Sequence, residues 1–388
     1  MFPHGNNIFE KMVSSYKSQN EKLTGEKSMQ RSLWVDFIIC FSIILTACSG
    51  NDNSSRIQLL GKIELSGSLT DVWGYVDNAG KEYALVGFGG TKQDTTSGIY
   101  IVDVSDAKSP ITVAIVNTVP GFDVKVWQNY AYTVNGVGYG LGGIIELTDA
   151  TDPKVVGGFP SGHNIFIDDR GYMYLDTGFL QLRIFNLNPD PMNPTLVWSG
   201  GPDDGHDATV IDNRLYDFSG SGGTNIYDVT NPASPQLLGS ITATFISFHH
   251  SGWPSEDGNF LFICNELAIK GDPDLTVWDI RDLDNPKFVT EIDDDQDNIH
   301  NLYIIGDFAF VSYYNAGFRV YDVSDPAAIN LVGEFDTSPN VDMNTVFQGA
   351  FGAYPFAPSG NIYVTDITNG LFIFSFKSGQ SSTNIVAP

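Results

Sequence analysis

Four histidines share one phase along the chain. His163-Asn164, His206-Asp207-Ala208, His250-Ser251-Gly252 and His300-Asn301 each open a strand-like run, at steps of 43, 44 and 50 residues. Five histidines lie beyond residue 47, and only His249 falls out of that phase. Neutral imidazoles gathered with carboxylates ligate zinc, iron, manganese or copper, and a water on such a metal can act as nucleophile or base. Aligned imidazoles can instead hydrogen-bond neighbouring backbone or enclosed water and hold strands in register. The residue types leave both uses open. Glu266, Asp176, Asp217 and Asp366 fall where the loops after second strands begin, so equal phase predicts that they approach the histidines. The candidate metal ligands are therefore His163, His206, His250, His300 and Glu266, with a divalent transition ion as the cofactor. The corresponding positions in the other repeats read as Asp71, Asp123 and Gly352. Calcium fits less well, because Asp293-Asp294-Asp295-Gln296-Asp297 lacks the glycine and distal glutamate of an EF-hand loop.

Other catalytic signatures are absent from the sequence. There is no Gly-x-Ser-x-Gly elbow, His-Glu-x-x-His pair, phosphate-binding Gly-x-x-x-x-Gly-Lys-Ser/Thr loop or dinucleotide fingerprint. Ser251 follows His250 directly, and on a strand the two side chains point to opposite faces, which argues against a serine hydrolase.

The elements that must position the histidines come from a repeat. A strand end followed by a turn recurs at Asp103-Val104-Ser105-Asp106, Glu146-Leu147-Thr148-Asp149, Asn186-Leu187-Asn188-Pro189, Asp228-Val229-Thr230-Asn231, Asp279-Ile280-Arg281-Asp282 and Asp322-Val323-Ser324-Asp325, with a degenerate copy at Phe374-Ser375. Steps of 40 to 53 residues are those of propeller blades. Each repeat holds four strand-like runs, clearest at residues 208–211, 214–217, 225–228 and 236–241. Alternating aromatics at Tyr130/Tyr132, Tyr172/Tyr174, Phe260/Phe262 and Phe308/Phe310 have the two-residue period of strands packed by one face, and are expected in the core between blades. In such a ring, equal phase means equal height, so the histidines should meet at one mouth of the central channel.

The last repeat lacks a fourth strand. Gln58-Leu59-Leu60-Gly61-Lys62-Ile63 reads like the fourth strand Gln236-Leu237-Leu238-Gly239-Ser240-Ile241, yet it precedes the first repeat. The expected fold is therefore all-β, a seven-bladed β-propeller spanning residues 56–376, closed by an N-terminal strand that joins the last blade. A β-sandwich or parallel β-helix would leave that orphan strand unexplained.

The N-terminus suggests an address. Arg31 precedes an apolar run at residues 37–47, too short to span a bilayer but suited to a signal sequence. Leu45-Thr46-Ala47-Cys48 resembles a bacterial lipobox, which predicts cleavage before Cys48 and lipidation of its sulfur. Residues 1–47 then read as signal region, with Met29 a candidate true start, residues 48–55 as lipidated cysteine and tether, and 377–388 as a polar tail. Of the three cysteines, Cys40 would leave with the signal and Cys48 would carry lipid, so Cys264 would have no disulfide partner. The chain carries 46 acidic and 20 basic residues, net −26. Loss of residues 1–47 removes five basic and four acidic ones, leaving −27. Such a surface repels nucleic acid and anionic headgroups.

Gly317-Phe318-Arg319-Val320-Tyr321-Asp322-Val323-Ser324-Asp325-Pro326 resembles the LVIVD repeat. The ordered set His163-Asn164, His206-Asp207-Ala208, His250-Ser251-Gly252-Trp253, Glu256-Asp257-Gly258, Asn265-Glu266, His300-Asn301 and Tyr354-Pro355 with Pro358-Ser359-Gly360-Asn361-Ile362 resembles the choice-of-anchor B family of bacterial secreted proteins. That resemblance implies a cell-surface propeller whose members differ in anchoring, some by C-terminal sorting domains and some by lipidation. With no sorting domain before Pro388, Cys48 is the expected anchor. The functional expectation is an exported, lipid-anchored protein of the outer membrane or cell surface of a Gram-negative bacterium. Its propeller would be a monomeric module for a protein, glycan or peptide ligand. The alternative is a metal-dependent hydrolase or lyase using the histidine cluster.

Overall fold

Inner strands of this chain are mostly buried, and outer strands are mostly exposed. The computed structural model describes residues 56–89, 96–178, 180–268, 271–294, 298–340 and 347–378. These residues form seven four-stranded antiparallel sheets around one axis, a seven-bladed β-propeller with no helix among the described residues. The expected signal region, tether and Cys48 lie outside the described residues, as does most of the expected polar tail. No described helix is long and apolar enough to cross a membrane.

Blades 1 to 7 have innermost strands Leu69–Val76, Asp123–Trp127, Asn164–Ile167, Asp207–Ile211, His249–Pro254, Leu302–Ile305 and Ala350–Tyr354. Blade 4 shows the common plan: Asp207–Ile211, Arg214–Phe218, Thr224–Asp228 and Gln236–Ile241 pair in that order. Inner strands are buried on both faces between neighbouring blades, whereas the outer strand Gln236–Ile241 buries mainly its end. Tyr132, Tyr174, Tyr216 and Phe262, from second strands of blades 2 to 5, are almost fully buried. Each such ring contributes about 1.5–3 kcal/mol through burial.

In blade 7 the outermost strand is Ile57–Ile63, which pairs antiparallel with Gly370–Phe376 from Ile57↔Phe376 to Ile63↔Leu371. Gly61 sits at a bulge in that strand, and a Cβ there would lie 2.0 Å from the carbonyl oxygen of Ala107 in the blade 1 turn. Gly239 meets the blade 5 turn in the same way, 2.2 Å from the Leu283 oxygen. The shared Leu-Leu-Gly sequence is thus a packing requirement: only glycine lets a neighbouring backbone come so close.

The recurring acidic turn is local chemistry. Asp103 Oδ1 accepts from the Ser105 amide at 3.0 Å, Asp228 Oδ1 from Thr230 at 2.7 Å and Asp322 Oδ1 from Ser324 at 3.1 Å. Each aspartate caps its own turn between third and fourth strands. Part of the negative charge is therefore spent on turn construction.

Candidate histidine site at the propeller axis

Each of the four in-phase histidines stands at or just before the start of an innermost strand, so the ring of blades carries them to one end of the axis. Their side chains pack edge over edge: ring centroids are 4.1 Å apart for His163 and His206, 4.4 Å for His206 and His250, and 4.7 Å for His250 and His300. All four are buried. The residues that complete the circle are Phe122 and Phe351. Phe122 lies 5.0 Å from His163, Phe351 lies 4.1 Å from His300, and the two phenyl rings meet at 5.9 Å.

This corrects the positions expected from sequence. Asp123 pairs with Val134, as Asp207 pairs with Phe218 and Asn164 with Asp176, so Asp123 is equivalent to the residue after each histidine. The Phe122 amide donates to the Val134 carbonyl as His206 does to Phe218, which places Phe122 in the histidine layer. Asp71 joins Asp123 in the next layer, where Lys125 Nζ reaches Asp71 Oδ2 at 2.7 Å and Asp123 Oδ1 at 2.5 Å. The signal was present as Phe122-Asp123 and Phe351-Gly352, but phenylalanine at a histidine position did not register.

Tautomers follow from the partners. The carbonyls of Gly136 and Phe351 can only accept, so His163 Nδ1, 2.8 Å from the first, and His300 Nδ1, 2.7 Å from the second, are protonated. Their Nε2 atoms keep lone pairs. His206 Nδ1 and His250 Nδ1 make no well-aligned hydrogen bond, although His206 faces the backbone of His250 and His250 that of His300; Asp207 Oδ1 stands 3.3 Å from His206 Nδ1, also without alignment. Burial pushes the imidazoles down, His163 to about 4 and His206 and His300 to about 3, with His250 well below its ordinary value through burial and its histidine neighbours. All are neutral near pH 7.

Glu266 reaches the layer from the loop after Phe260–Asn265. Its Oε2 is 3.5 Å from His250 Nε2 and its Oε1 3.9 Å from His300 Nε2. Burial pushes its carboxyl up to about 8. Tyr314 donates its hydroxyl to Glu266 Oε1 at 2.5 Å, and Asn298 Nδ2 donates to the Glu266 carbonyl at 2.6 Å. Tyr314 has a φ of +32°, a conformation that costs a non-glycine residue about 1–3 kcal/mol. That backbone carries the residue that holds Glu266, and sequence reading missed it.

The other expected carboxylates divide. Asp176 is buried with both oxygens unpartnered and Asp217 has an unpartnered Oδ2; burial raises both carboxyls, and the charges of Asp217 and Asp207 raise Asp176 further. Asp366 instead accepts from Ser338 Oγ, Thr368 N and Asn369 N, so it is a turn cap. Ser251 Oγ donates to the His300 carbonyl at 2.9 Å and ties blade 5 to blade 6. Of the acidic run at 293–297, residues 295–297 lie outside the described residues, and Asp294 pairs with Arg319 at 2.5 Å.

These buried groups set a pH profile for the chelator-treated chain. A histidine held below its ordinary 6.5 stays neutral when folded and gains a proton on unfolding, so stability is lost as pH falls from 6.5 towards 4. Asp217 and Asp274 are pushed up to about 7 by burial; the fold keeps their protons, and stability is lost as pH rises from their ordinary 3.8 through 7. The two effects oppose between about 4 and 6.5. Only the carboxyls act above that window, so thermal melting should move to lower temperature from pH 6.5 to 8. A melting temperature that rises over that interval contradicts the assignment.

Residues 93–118 and 298–337 match the LVIVD repeat. Among solved structures, the chain is similar to the β-propeller domain of Cps50 (Swd1) from Myceliophteria thermophila, at 12% identity and TM-score 0.59, covering 83% of this chain and 100% of that one. It is also similar to a protein described as a candidate 6-phosphogluconolactonase from Bacteroides uniformis, at 15% identity and TM-score 0.53, covering 68% and 82%. No curated protein sequence matches. At these identities the structural likenesses establish the fold alone: the chain is a seven-bladed β-propeller that carries LVIVD repeats.

Proposed function

We propose that this chain is an exported lipoprotein, anchored through Cys48, whose propeller is a binding module that takes its ligand at the histidine-lined mouth. The observation that carries the binding role is the gathering at one end of the axis of four buried neutral imidazoles and Glu266, beside the buried Asp176 and Asp217; both Asp176 oxygens and Asp217 Oδ2 have no hydrogen-bond partner. Leaving a buried polar group unpaired costs about 1–3 kcal/mol each. Polar groups gathered this way favour a ligand that satisfies them. The lipobox-like Leu45-Thr46-Ala47-Cys48 and the resemblance to choice-of-anchor B proteins support the envelope location.

Both parts are open to one set of measurements on the full chain expressed in a Gram-negative host. The native chain is expected in the membrane fraction and Cys48→Ser in the soluble fraction; identical partitioning removes the anchor. Melting curves of the detergent-solubilised chain against divalent cations, oligosaccharides and short peptides should show a saturable shift that His206→Gln abolishes. No saturable shift with any of them contradicts the binding role.

A further inference from the structure

The histidine mouth is deeply enclosed. Relative exposure is 9% for His163, 3% for His206, 2% for His250, 5% for His300 and 4% for Glu266. Phe248, Phe122 and Phe351 pack against these rings at 4.9, 5.0 and 4.1 Å. A sugar ring or a peptide side chain has no exposed imidazole to lie on. An ion does not need one.

Resting on the binding-module reading above, we propose that the ligand of this mouth is a first-row divalent transition ion, held by His206, His250 and Glu266. One ligand atom from each of these three residues can be chosen so that all lie within 4.8 Å of one another. Ligands at about 2.1 Å from a tetrahedral centre stand roughly 3.4 Å apart. His250 Nε2 and Glu266 Oε2 are 3.5 Å apart, too long for a hydrogen bond and close to that edge. The surroundings are those of a metal site. Tyr314 donates to the second carboxylate oxygen of Glu266, as outer partners orient a ligating carboxylate. His300, with Nδ1 fixed on the Phe351 carbonyl, turns its Nε2 lone pair to within 3.9 Å of the same carboxylate.

Two nitrogens and one oxygen select among ions. Imidazole is a poor ligand for calcium and magnesium, which take oxygen, and suits zinc, cobalt, nickel or iron. Three protein ligands leave a coordination position open, and His206 belongs as well to a second group with His163 and Asp207, whose Oδ1 is 3.3 Å from His206 Nδ1.

The test uses the full chain, stripped with chelator and titrated with Zn²⁺ by calorimetry and with Co²⁺ by visible absorption. One ion per chain is expected, with Co²⁺ giving the intense visible bands of a low-coordinate N/O site. His250→Ala and Glu266→Gln should each weaken Zn²⁺ binding more than about a hundredfold, and Tyr314→Phe by roughly 10–100-fold. His249→Ala should leave it unchanged, since His249 Nδ1 is engaged by Thr224 Oγ1 at 2.8 Å. Should His250→Ala fail to fold, the near-isosteric Glu266→Gln, checked by its melting curve, carries the test alone. Absence of stoichiometric ion, or binding indifferent to both substitutions, overturns the metal. If the chain takes no ion yet still shows a saturable oligosaccharide or peptide shift that His206→Gln abolishes, the metal fails and the binding module stands. If no probe binds, both fall.

Discussion

Lys125→Met is expected to destabilise the propeller by about 3–5 kcal/mol in chemical denaturation, the range for removing one partner of a buried ion pair. Lys125 lies on the axis with its ammonium on Asp71 and Asp123, all three buried, and 4.7 Å over the ring of Trp73. Burial works against every charge here. Even so, Lys125 holds Asp123 below its ordinary value, while burial lifts Asp71 above its own despite the lysine. The lysine therefore favours the charged form of Asp123 more than that of Asp71. Methionine keeps the volume and strands the Asp123 carboxylate. The triple change Lys125→Met, Asp71→Asn, Asp123→Asn removes the unpaired charge and should recover most of the loss. A single substitution costing under about 1 kcal/mol would show that the three groups do not form the buried network.

Trp253→Ala carries the second largest expected effect, about 3–5 kcal/mol. Three residues along the innermost strands from the histidine layer, the channel is filled by aromatic rings. Trp253 meets Tyr303 at 5.2 Å, Phe356 at 5.7 Å and Phe166 at 6.2 Å, and Trp73 meets Tyr303 at 6.5 Å and Tyr354 at 5.0 Å. Between this plug and the histidines remains about 20 Å³ of space, lined by Lys125, Asn164, Asp207, Ser251 and Asn301, enough for about one ordered water. Trp253 is buried among these rings, and Lys125 beside it is tied to Asp71 and Asp123, so alanine would leave a cavity that the neighbours fill poorly. Trp253→Phe keeps the ring packing and should cost markedly less. Equal losses for the two would mean that the aromatic plug does not bind the blades together.

The fold was legible because a propeller writes the same constraints seven times. Asp-Val-Ser-Asp turns announce the link from third to fourth strand through their own side chain to backbone bonds, and Tyr132, Tyr174 and Phe262 announce second strands by their alternation. The histidine layer was legible for the same reason, since repeat phase converts directly into height along the axis. Its boundary was not. Phe122 and Phe351 occupy the histidine positions of blades 2 and 7, one residue before the Asp123 and Gly352 expected there from repeat phase. Tyr314 and Lys125 escaped for a different reason: each acts across blades, on Glu266 48 residues away and on Asp71 54 residues away, and no local pattern records such a pairing. Asp366 misled by phase alone, because its carboxylate folds back on Thr368 and Asn369.

Anomalous diffraction tests most directly whether the axial imidazoles and Glu266 enclose an ion. Crystals of the full chain grown with Zn²⁺ and measured on both sides of the zinc edge should give an anomalous peak bounded by His206, His250 and Glu266, which disappears in Glu266→Gln. Zinc peaks confined to other parts of the molecule, with none between those three side chains, would contradict it.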